Sequence, residues 1–502
     1  MSRSKSVVKN LIWELGYYFV VILLGFLAPR YIILVYGSEV NGLSSTITQI
    51  LNLIMLLQAG ATTASVFSLY KPVADKDMAV VAAKIASAER FFKKISFIFL
   101  FIMSAIAVGF SFYIKSDLRP VCIFAAFVIL GFKSFLDLYF TSKFRIIFTA
   151  FQDKYVISIA TLIEQVVYYI LVFITLFLKI HFLFLYVWLF TGCVAKVLYL
   201  EFVYRKKFST VIPECTTEAQ EVIPGRTYSL ANEVSHSVVA SSVSIIISLL
   251  YGLNEASVYS VYALVSSALY LFTSAVSSAF EPSFGNLQAS GNRVSSASVL
   301  SIYKFIFILF NTFLYLYMLL MILPFVKIYT RGVGDVNYIN TLLATLLSLQ
   351  CLSSMYRIPY NVTVSTCGFF KETWIQPVVC AFIAILIEIT FGKISYPFIL
   401  IGPIFFYLCN FVYQHIKLKK LVPHLVSNNI LRLMIMTWAG FVLSSFIACV
   451  VHIPDGFISF SLYGIICFIA LLSYLVIFSY FLDKEDFLLS FNYLKEFIKR
   501  YV

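Results

Sequence analysis

The sequence predicts an all-α polytopic membrane protein with about fourteen transmembrane helices, arranged as two six-helix lobes plus two extra C-terminal helices. Three observations predict this fold: an apolar composition, a one-sided distribution of basic residues and a weak internal repeat. Of the 502 residues, 61% are hydrophobic and 12% are charged, whereas soluble proteins average about 45–50% apolar and about 25% charged residues. This composition excludes a soluble enzyme, a disordered chain and a disulfide scaffold.

The chain contains enough apolar segments for fourteen membrane crossings, because one crossing needs about 20 apolar residues. We number them as spans 1 to 14 in chain order. The predicted spans lie near 11–36, 42–70, 91–115, 119–142, 155–178, 181–204, 227–252, 256–282, 299–328, 338–366, 374–393, 395–416, 430–452 and 456–482.

The connections between these spans differ sharply in basic residues, which in membrane proteins concentrate on the cytoplasmic side. The two termini and the connections on their side carry 27 Lys and Arg, and the opposite side carries six. The same asymmetry accounts for the net charge of +13 without any nucleic acid. We therefore expect a bacterial inner-membrane protein with both termini and the 205–226 loop in the cytoplasm. The six opposite residues are Lys115, Arg119, Lys179, Lys327, Arg331 and Lys393.

The chain repeats itself weakly after about six spans. Pro72 and Pro282 close two spans rich in small residues, the Tyr-Gly pair at 36–37 returns at 251–252, and Gln152 is matched by Gly368. Six is an even number, so the two copies have the same membrane orientation and are related by a pseudo-two-fold axis along the membrane normal. We predict an N-terminal lobe at 1–215, a C-terminal lobe at 216–420, two additional spans at 421–482 and an amphipathic cytoplasmic helix at 483–502.

Two segments on the predicted cytoplasmic side have an amphipathic pattern. The first is DMAVVAAKIASAERFFKKI after span 2, and the second is the C-terminal KEDFLLSFNYLKEFIKRYV. Apolar stripes flanked by Lys and Arg are typical of helices that lie on anionic lipid. Docking of a partner protein is the alternative for either segment.

The sequence shows no recognisable catalytic apparatus. It has no nucleotide-binding G-x-x-x-x-G-K-[ST] motif and no H-E-x-x-H motif, and no predicted outer loop exceeds about a dozen residues. The nine cysteines include no C-x-x-C pair. These absences argue for a transporter without cofactor and against an enzyme.

Four basic residues lie inside predicted spans, where a charge needs a cavity or a partner. They are Arg30, Lys133, Lys196 and Arg357, and we interpret them as the binding residues for an anionic headgroup. Other readings stay open: the two arginines reach the nearest interface, Lys133 pairs with Asp137 on its own helix, or Lys196 pairs with Glu164 on the neighbouring span.

Acidic residues within the spans are candidates for coupling transport to Na⁺ or H⁺. We select Glu14, Asp137 and Glu388 for this role. For Glu14 the alternative is a carboxylate at the inner interface, and for Glu388 it is a protonated side chain that only packs. No metal site is predicted.

The opening segment resembles a known family of transporters. It reads ELGYYFVVILLGFLAPRYIILVYGSEVNGLSSTITQILNLIMLLQAGATTASVFSLYKPVADKD, and the later segments AFQDKYV, CGFFKETW and FEPSFGNL complete the pattern. These motifs resemble the polysaccharide (Wzx-type) flippases, which export O-antigen or capsule repeat units and belong to the MOP transporter superfamily. The resemblance covers essentially the whole chain and places Arg30 at the basic position of span 1 in that family.

The resemblance implies a two-lobe flippase that exports undecaprenyl-pyrophosphate-linked oligosaccharide by alternating access for surface polysaccharide assembly. Its implied partners are that lipid-linked oligosaccharide, the membrane lipids, and polymerase or assembly proteins of a polysaccharide pathway. A lipid II flippase and a multidrug or cation antiporter of the same superfamily stay open, and a membrane glycosyltransferase or polymerase is a weaker alternative.

Overall fold

The computed structural model describes residues 3–58, 61–208, 226–289, 293–426, 430–450, 456–482, 484 and 487–489. Within these residues the chain is helical and contains no strand. The helices are α1 Arg3–Tyr36, α2 Ser38–Met55, α3 Ala61–Ala74, α4 Met78–Tyr113, α5 Pro120–Leu136, α6 Ser142–Ala150, α7 Lys154–Leu178, α8 Leu183–Phe208, α9 Arg226–Tyr251, α10 Leu253–Ala289, α11 Arg293–Tyr329, α12 Thr341–Met355, α13 Arg357–Cys367, α14 Phe370–Thr373, α15 Ile375–Gly392, α16 Ile401–Leu421, α17 Ile430–Val450 and α18 Phe457–Leu482.

The predicted membrane fold is confirmed. Twelve helical stretches among the described residues are long and apolar enough to cross a bilayer. The two remaining predicted spans correspond to α1, whose apolar part is Val20–Tyr36, and to the pair α12 and α13. This pair is divided next to Arg357, two residues before Pro359, because proline removes a backbone hydrogen bond and clashes with the preceding turn.

Two predicted elements differ from the structure. Span 2 is a succession of α2, a short 3-10 turn at Leu56–Gln58 and α3. The separate surface helix predicted after span 2 is wrong, because that segment is the first part of α4, a single helix of 36 residues. The segment contains neither Gly nor Pro before Gly109, so nothing in it ends the helix. Asp77 caps its start by accepting a hydrogen bond from the Val80 backbone amide (3.1 Å).

The predicted C-terminal amphipathic helix at 483–502 lies outside the described residues except for Lys484 and Phe487–Leu489. The central part of the predicted cytoplasmic loop, 209–225, also lies outside them. Both therefore stay predictions.

The chain divides into two compact units. Unit 1 consists of Met1–Leu230 and Tyr251–Ser257, and unit 2 consists of Ala231–Leu250 and Val258–Val502. The lobe boundaries that we predict from the repeat remain a prediction.

In unit 1, α7 packs along both α1 and α8. The contact between α7 and α8 is close because Gly192 on α8 lies against the Glu164 backbone, where an added Cβ would come within 2.7 Å of the carbonyl oxygen. Tyr31 and Phe173 meet edge to face between α1 and α7, with 5.9 Å between ring centroids. These contacts hold together the helices that carry Arg30, Glu164 and Lys196.

In unit 2, α15 packs along α16. Gly402 on α16 lies against Ala384 and Glu388 of α15, where a Cβ would have no room. The apolar core beside this pair includes Val239, Phe406 and Tyr407. Helix α11 contacts α12, α17 and α18, so the two helices beyond the repeat pack on unit 2.

Candidate functional site

Unit 1 contains a network of five charged side chains at the depth of the predicted spans. The Lys133 Nζ lies 2.8 Å from Glu164 Oε1, and the Lys196 Nζ lies 2.9 Å from Glu164 Oε2. Lys196 also reaches Asp137 Oδ1 at 2.5 Å. Arg145 completes the network with 3.7 Å between its terminal nitrogen and Asp137 Oδ2. We call these five residues the unit 1 ion network.

Burial is greatest in the middle of the network and least at its two ends, Lys133 and Arg145. The side chains of Glu164 and Lys196 are 3% and 5% exposed, those of Asp137 and Lys133 are 14% and 22% exposed, and that of Arg145 is 41% exposed. A buried ion is stable only when it is paired, and removal of its partner typically costs about 3–5 kcal/mol. The inner members therefore hold one another in place, and the outer members remain accessible.

The backbone that carries this network departs from a regular α-helix. Between α5 and α6 the chain forms a π-turn at Asp137–Thr141. The Thr141 hydroxyl donates to the Asp137 carbonyl oxygen at 2.5 Å and lies 3.2 Å from Asp137 Oδ1. Single π-turns inside helices occur frequently at functional sites.

The network carries a surplus of positive charge, because three basic residues face two carboxylates. Lys196 is held by both carboxylates, while Lys133 and Arg145 have one each. The formal surplus is one positive charge, and the two cations with a single carboxylate contact, Lys133 and Arg145, are the most exposed members.

The sequence-based pairings are partly correct. The predicted contact between Lys196 and Glu164 is present, whereas Lys133 pairs with Glu164 rather than with Asp137 on its own helix. The count of 27 basic residues places Arg145 in the cytoplasmic connection after span 4, and in the structure it lies in α6, which continues that span beyond the π-turn. The apolar run that follows it, Ile146–Phe148, was the available signal that the span continues.

Arg30 lies on α1 in the same unit. Pro29 stands inside this helix, which continues to Tyr36, so the proline does not end span 1. The Arg30 side chain is half-buried. The residue that follows the helix, Gly37, has a φ of 87°. Glycine adopts this backbone conformation without strain.

Arg357 is a buried cation of unit 2. Its side chain is 5% exposed, and its guanidinium lies over the Tyr407 ring, 5.7 Å from the centroid. Its Nε has no hydrogen-bond partner among the described residues, and no carboxylate in that part of the chain pairs with it. The His236 ring lies 5.6 Å from Tyr407, so this cation has aromatic neighbours instead of acidic ones.

Glu388 of α15 is fully buried in unit 2. Neither of its carboxylate oxygens has a hydrogen-bond partner within the described ranges. The Ser242 hydroxyl donates to the Val239 carbonyl at 3.0 Å. A carboxyl group in such surroundings is stable when it is neutral or when it holds a cation.

The other two candidates for ion coupling are placed differently. Asp137 belongs to the unit 1 ion network, where its carboxylate is already paired. The Glu14 side chain lies outside the described residues, although its backbone belongs to α1. Among the residues that the structure describes, no three His, Cys, Asp or Glu side chains come close enough to hold a metal ion.

Lys304 is a buried cation that we did not select from the sequence. It lies on α11, is 5% exposed, and donates from Nζ to the Leu425 carbonyl oxygen at 2.8 Å. It also lies over the Tyr360 ring, 4.8 Å from the centroid. The count of 27 basic residues includes it on the cytoplasmic side, at the start of span 9. Its contact with Leu425 ties α11 to the turn that precedes α17.

No family profile and no curated protein matches this chain, but solved structures do. An inward-facing multidrug resistance MATE family transporter of the MOP superfamily superposes with a TM-score of 0.65 at 13% identity, over 82% of this chain and 98% of that chain. The lipid II flippase MurJ in an inward closed conformation superposes with a TM-score of 0.57 at 13% identity, over 92% of this chain and 98% of that chain.

A third neighbour is a MOP superfamily transporter from Pyrococcus furiosus, described by the reverse polarity of its binding pocket. It gives a TM-score of 0.54 at 13% identity, over 83% of this chain and 96% of that chain. Each of these superpositions covers nearly the whole length of the solved chain. The chain therefore has the fold of the MATE and MurJ transporters of the MOP superfamily.

Proposed function

We propose that this protein is a flippase that exports undecaprenyl-pyrophosphate-linked oligosaccharide repeat units by alternating access. The observation that carries this proposal is the surplus of positive charge among the charged side chains of the two units. Three cations face two carboxylates in the unit 1 ion network, and Arg357 in unit 2 lies without a carboxylate partner among the described residues. The likeness of the opening segment to polysaccharide flippases supports the choice of a lipid-linked sugar.

The chemistry of the substrate explains why such a surplus is useful. A diphosphate that loses its water in a low-dielectric interior faces a desolvation cost on the order of tens of kcal/mol. Fixed cations replace this hydration, and charge-assisted contacts to phosphate are the strong ones. The polyprenyl tail remains in the lipid throughout.

We assign the headgroup contacts according to how accessible each cation is. Arg30 is half-buried and Lys133 is 22% exposed, so both retain contact with their surroundings. Arg357 offers a guanidinium that no carboxylate neutralises among the described residues. Lys196 is bound by two carboxylates, and in this proposal it contributes by orienting them rather than by touching the phosphate.

The export step requires a driving force, and the membrane potential supplies one. Outward movement of about two negative charges from a negative cell interior gains roughly 4–5 kcal/mol per 100 mV. Glu388 is our first candidate for additional coupling to H⁺ or Na⁺, because it is buried and neither carboxylate oxygen has a hydrogen-bond partner among the described residues. Asp137 and Glu14 are the other candidates. No resident cofactor is needed in this proposal.

Two related functions belong to the same superfamily fold. A lipid II flippase differs only in the sugar that it carries, and a multidrug antiporter transports cations. Arg357, which has no carboxylate partner among the described residues, and the excess of bases in unit 1 favour an anionic substrate over a cation. The weaker alternative, a glycosyltransferase or polymerase, requires a catalytic acid or base in an exposed loop.

The proposed setting is the bacterial inner membrane, with both termini in the cytoplasm and polysaccharide polymerase or assembly proteins as partners. The test is deletion of the gene, followed by extraction of lipid-linked oligosaccharides and probing of their sidedness. We expect completed repeat units to accumulate on the inner leaflet. Complementation by the wild-type chain is the control. Failure to assemble the repeat unit would instead support an enzyme.

A further inference from the structure

The unit 1 ion network is not equally strong at all its contacts. Lys196 lies within 2.5 and 2.9 Å of two carboxylates, and Lys133 within 2.8 Å of one. The contact between Arg145 and Asp137 is much longer, 3.7 Å, and Arg145 is the most exposed member at 41%. An exposed ion pair at this distance contributes about 0–1 kcal/mol. Arg145 is therefore the cation that an incoming anion can recruit at the lowest cost.

The π-turn determines whether Arg145 reaches Asp137 at all. In a regular α-helix eight residues turn by about 800°, which would place residue 145 about 80° around the helix from residue 137. A π-turn accommodates one extra residue. The effective separation then falls to about seven residues and about 700°, nearly two full turns. Arg145 consequently lies almost directly below Asp137.

The π-turn is fixed by the same aspartate. The Thr141 hydroxyl bonds to the Asp137 carbonyl and lies near its carboxylate, which Lys196 holds from α8. On the side of α4, Tyr139 in the middle of the turn packs against Phe97 with 6.0 Å between ring centroids, and Lys93 lies 5.4 Å from its ring. The turn is thus held through the backbone carbonyl and the carboxylate of Asp137, and through the contacts of Tyr139 with α4.

We infer that Arg145 is a phosphate-binding residue that Asp137 holds in reserve, and that the π-turn sets its position. A phosphate or diphosphate group that arrives at this end of span 4 takes the guanidinium from Asp137. Loss of that contact removes one reason for the π-turn, and a return to α-helical geometry rotates the part of α6 that follows by about 100°. This inference rests on the proposed function in one respect, since it names the first residue to meet the headgroup.

The first experiment measures binding to the full chain in lipid nanodiscs. The probes are inorganic pyrophosphate and a polyprenyl pyrophosphate. We expect Arg145→Gln to weaken binding about tenfold or more and Arg145→Lys to weaken it less, because a point charge still pairs with phosphate. The matched control is Arg205→Gln, another exposed arginine of unit 1 in an ion pair, with Glu201 at 2.8 Å. It should bind like the wild type.

The second experiment separates position from charge. Thr141→Val keeps every charge of the network and removes the hydroxyl that fixes the π-turn, and we expect it to weaken pyrophosphate binding at least about threefold. Thr161→Val is its control, because the Thr161 hydroxyl also bonds to a carbonyl four residues back, that of Ile157 at 2.9 Å. Hydrogen exchange of segment 142–150 should change when pyrophosphate is added to the wild type. In the ligand-free Thr141→Val protein it should already differ from that of the ligand-free wild type.

The outcomes distinguish this inference from the proposed function. An Arg145→Gln protein that binds both probes like the wild type would overturn the assignment of Arg145 and leave export of the lipid untouched. A wild type that binds neither probe would contradict the proposed function and this inference together. Dependence on Arg145 with the lipid probe alone supports a lipid headgroup as the ligand. If binding of both probes depends on Arg145, the assignment is supported and free pyrophosphate is also a ligand of this site.

Discussion

At the scale of single residues, the charges in unit 1 illustrate what a sequence reveals about a membrane interior. The presence of Lys133 and Lys196 in apolar segments indicates that each needs a partner. The partner of Lys196 is predictable, because Glu164 lies at a similar depth on the preceding antiparallel helix. The partner of Lys133 is not, because its choice of Glu164 over Asp137 depends on how three helices pack around one another.

Arg145 shows a second limit at this scale. An arginine near the end of an apolar segment looks like an ordinary interfacial residue. The π-turn that directs it to Asp137 leaves no trace in an apolar pattern, because periods of 3.6 and about 4.4 residues cannot be separated over a single turn.

Lys196 should be essential for the stability of unit 1. Lys196→Met leaves Glu164 and Asp137 buried with one cation fewer, and we expect a loss of about 3–5 kcal/mol in the free energy of unfolding. The double variant with Asp137→Asn should recover part of this loss. Lys206→Met, on the exposed end of the same helix, is the control. Denaturation in detergent measures all four proteins, and equal stability of the single and double variants would argue against the network.

Arg30 should act in export through its charge. Arg30→Lys should retain part of the export activity, Arg30→Gln should lose most of it, and Arg30→Glu should abolish it, because one charge–phosphate contact is worth about 1.5–3 kcal/mol. Export is measured in cells at matched protein levels in the membrane. Arg119→Gln, an exposed arginine of the same unit, serves as control. If Arg30→Gln exports at the wild-type rate, Arg30 has an interfacial role only.

At the scale of elements, apolar length predicts the helices well and their interruptions poorly. All fourteen predicted spans correspond to helices of the structure. The break in span 2 near Gln58 and the continuity of α4 were both missed. An amphipathic segment followed by an apolar one predicts two helices only if something between them ends the first. The segment from Met78 onwards has no such residue before Gly109.

The contact between α7 and α8 should be sensitive to a single methyl group. In Gly192→Ala the new Cβ meets the Glu164 carbonyl oxygen, which is backbone and cannot move aside. We expect a loss of about 1–3 kcal/mol in the free energy of unfolding. Gly109→Ala on α4 is the matched control, since nothing lies within 4 Å of its added Cβ. Thermal denaturation compares the two, and equal midpoints would show that α7 and α8 are less closely packed.

At the scale of the whole molecule, composition and charge predict the class of protein, and the fold follows from helix count and order. The substrate does not follow from the fold, because the same helical scaffold occurs in transporters described as multidrug resistance proteins and as a lipid II flippase. We therefore base the proposed substrate on the distribution of charge within each unit.

The topology predicted from 27 basic residues on one side and six on the other can be checked directly. Reporter fusions after residues 215 and 502 should both behave as cytoplasmic. A fusion in the connection at Arg331, on the side with few basic residues, is the control and should behave as external. An external C-terminus would contradict the fourteen-span topology.

The central claim is that the protein moves a lipid-linked diphosphate across a bilayer. The most direct measurement uses proteoliposomes loaded with a fluorescent polyprenyl-pyrophosphate oligosaccharide and an impermeant quencher or enzyme outside. With an imposed membrane potential, the wild-type chain should transfer the lipid between leaflets faster than protein-free liposomes, and Arg30→Gln should be strongly impaired. Transfer no faster than in protein-free liposomes, by a folded wild-type protein, would contradict the account.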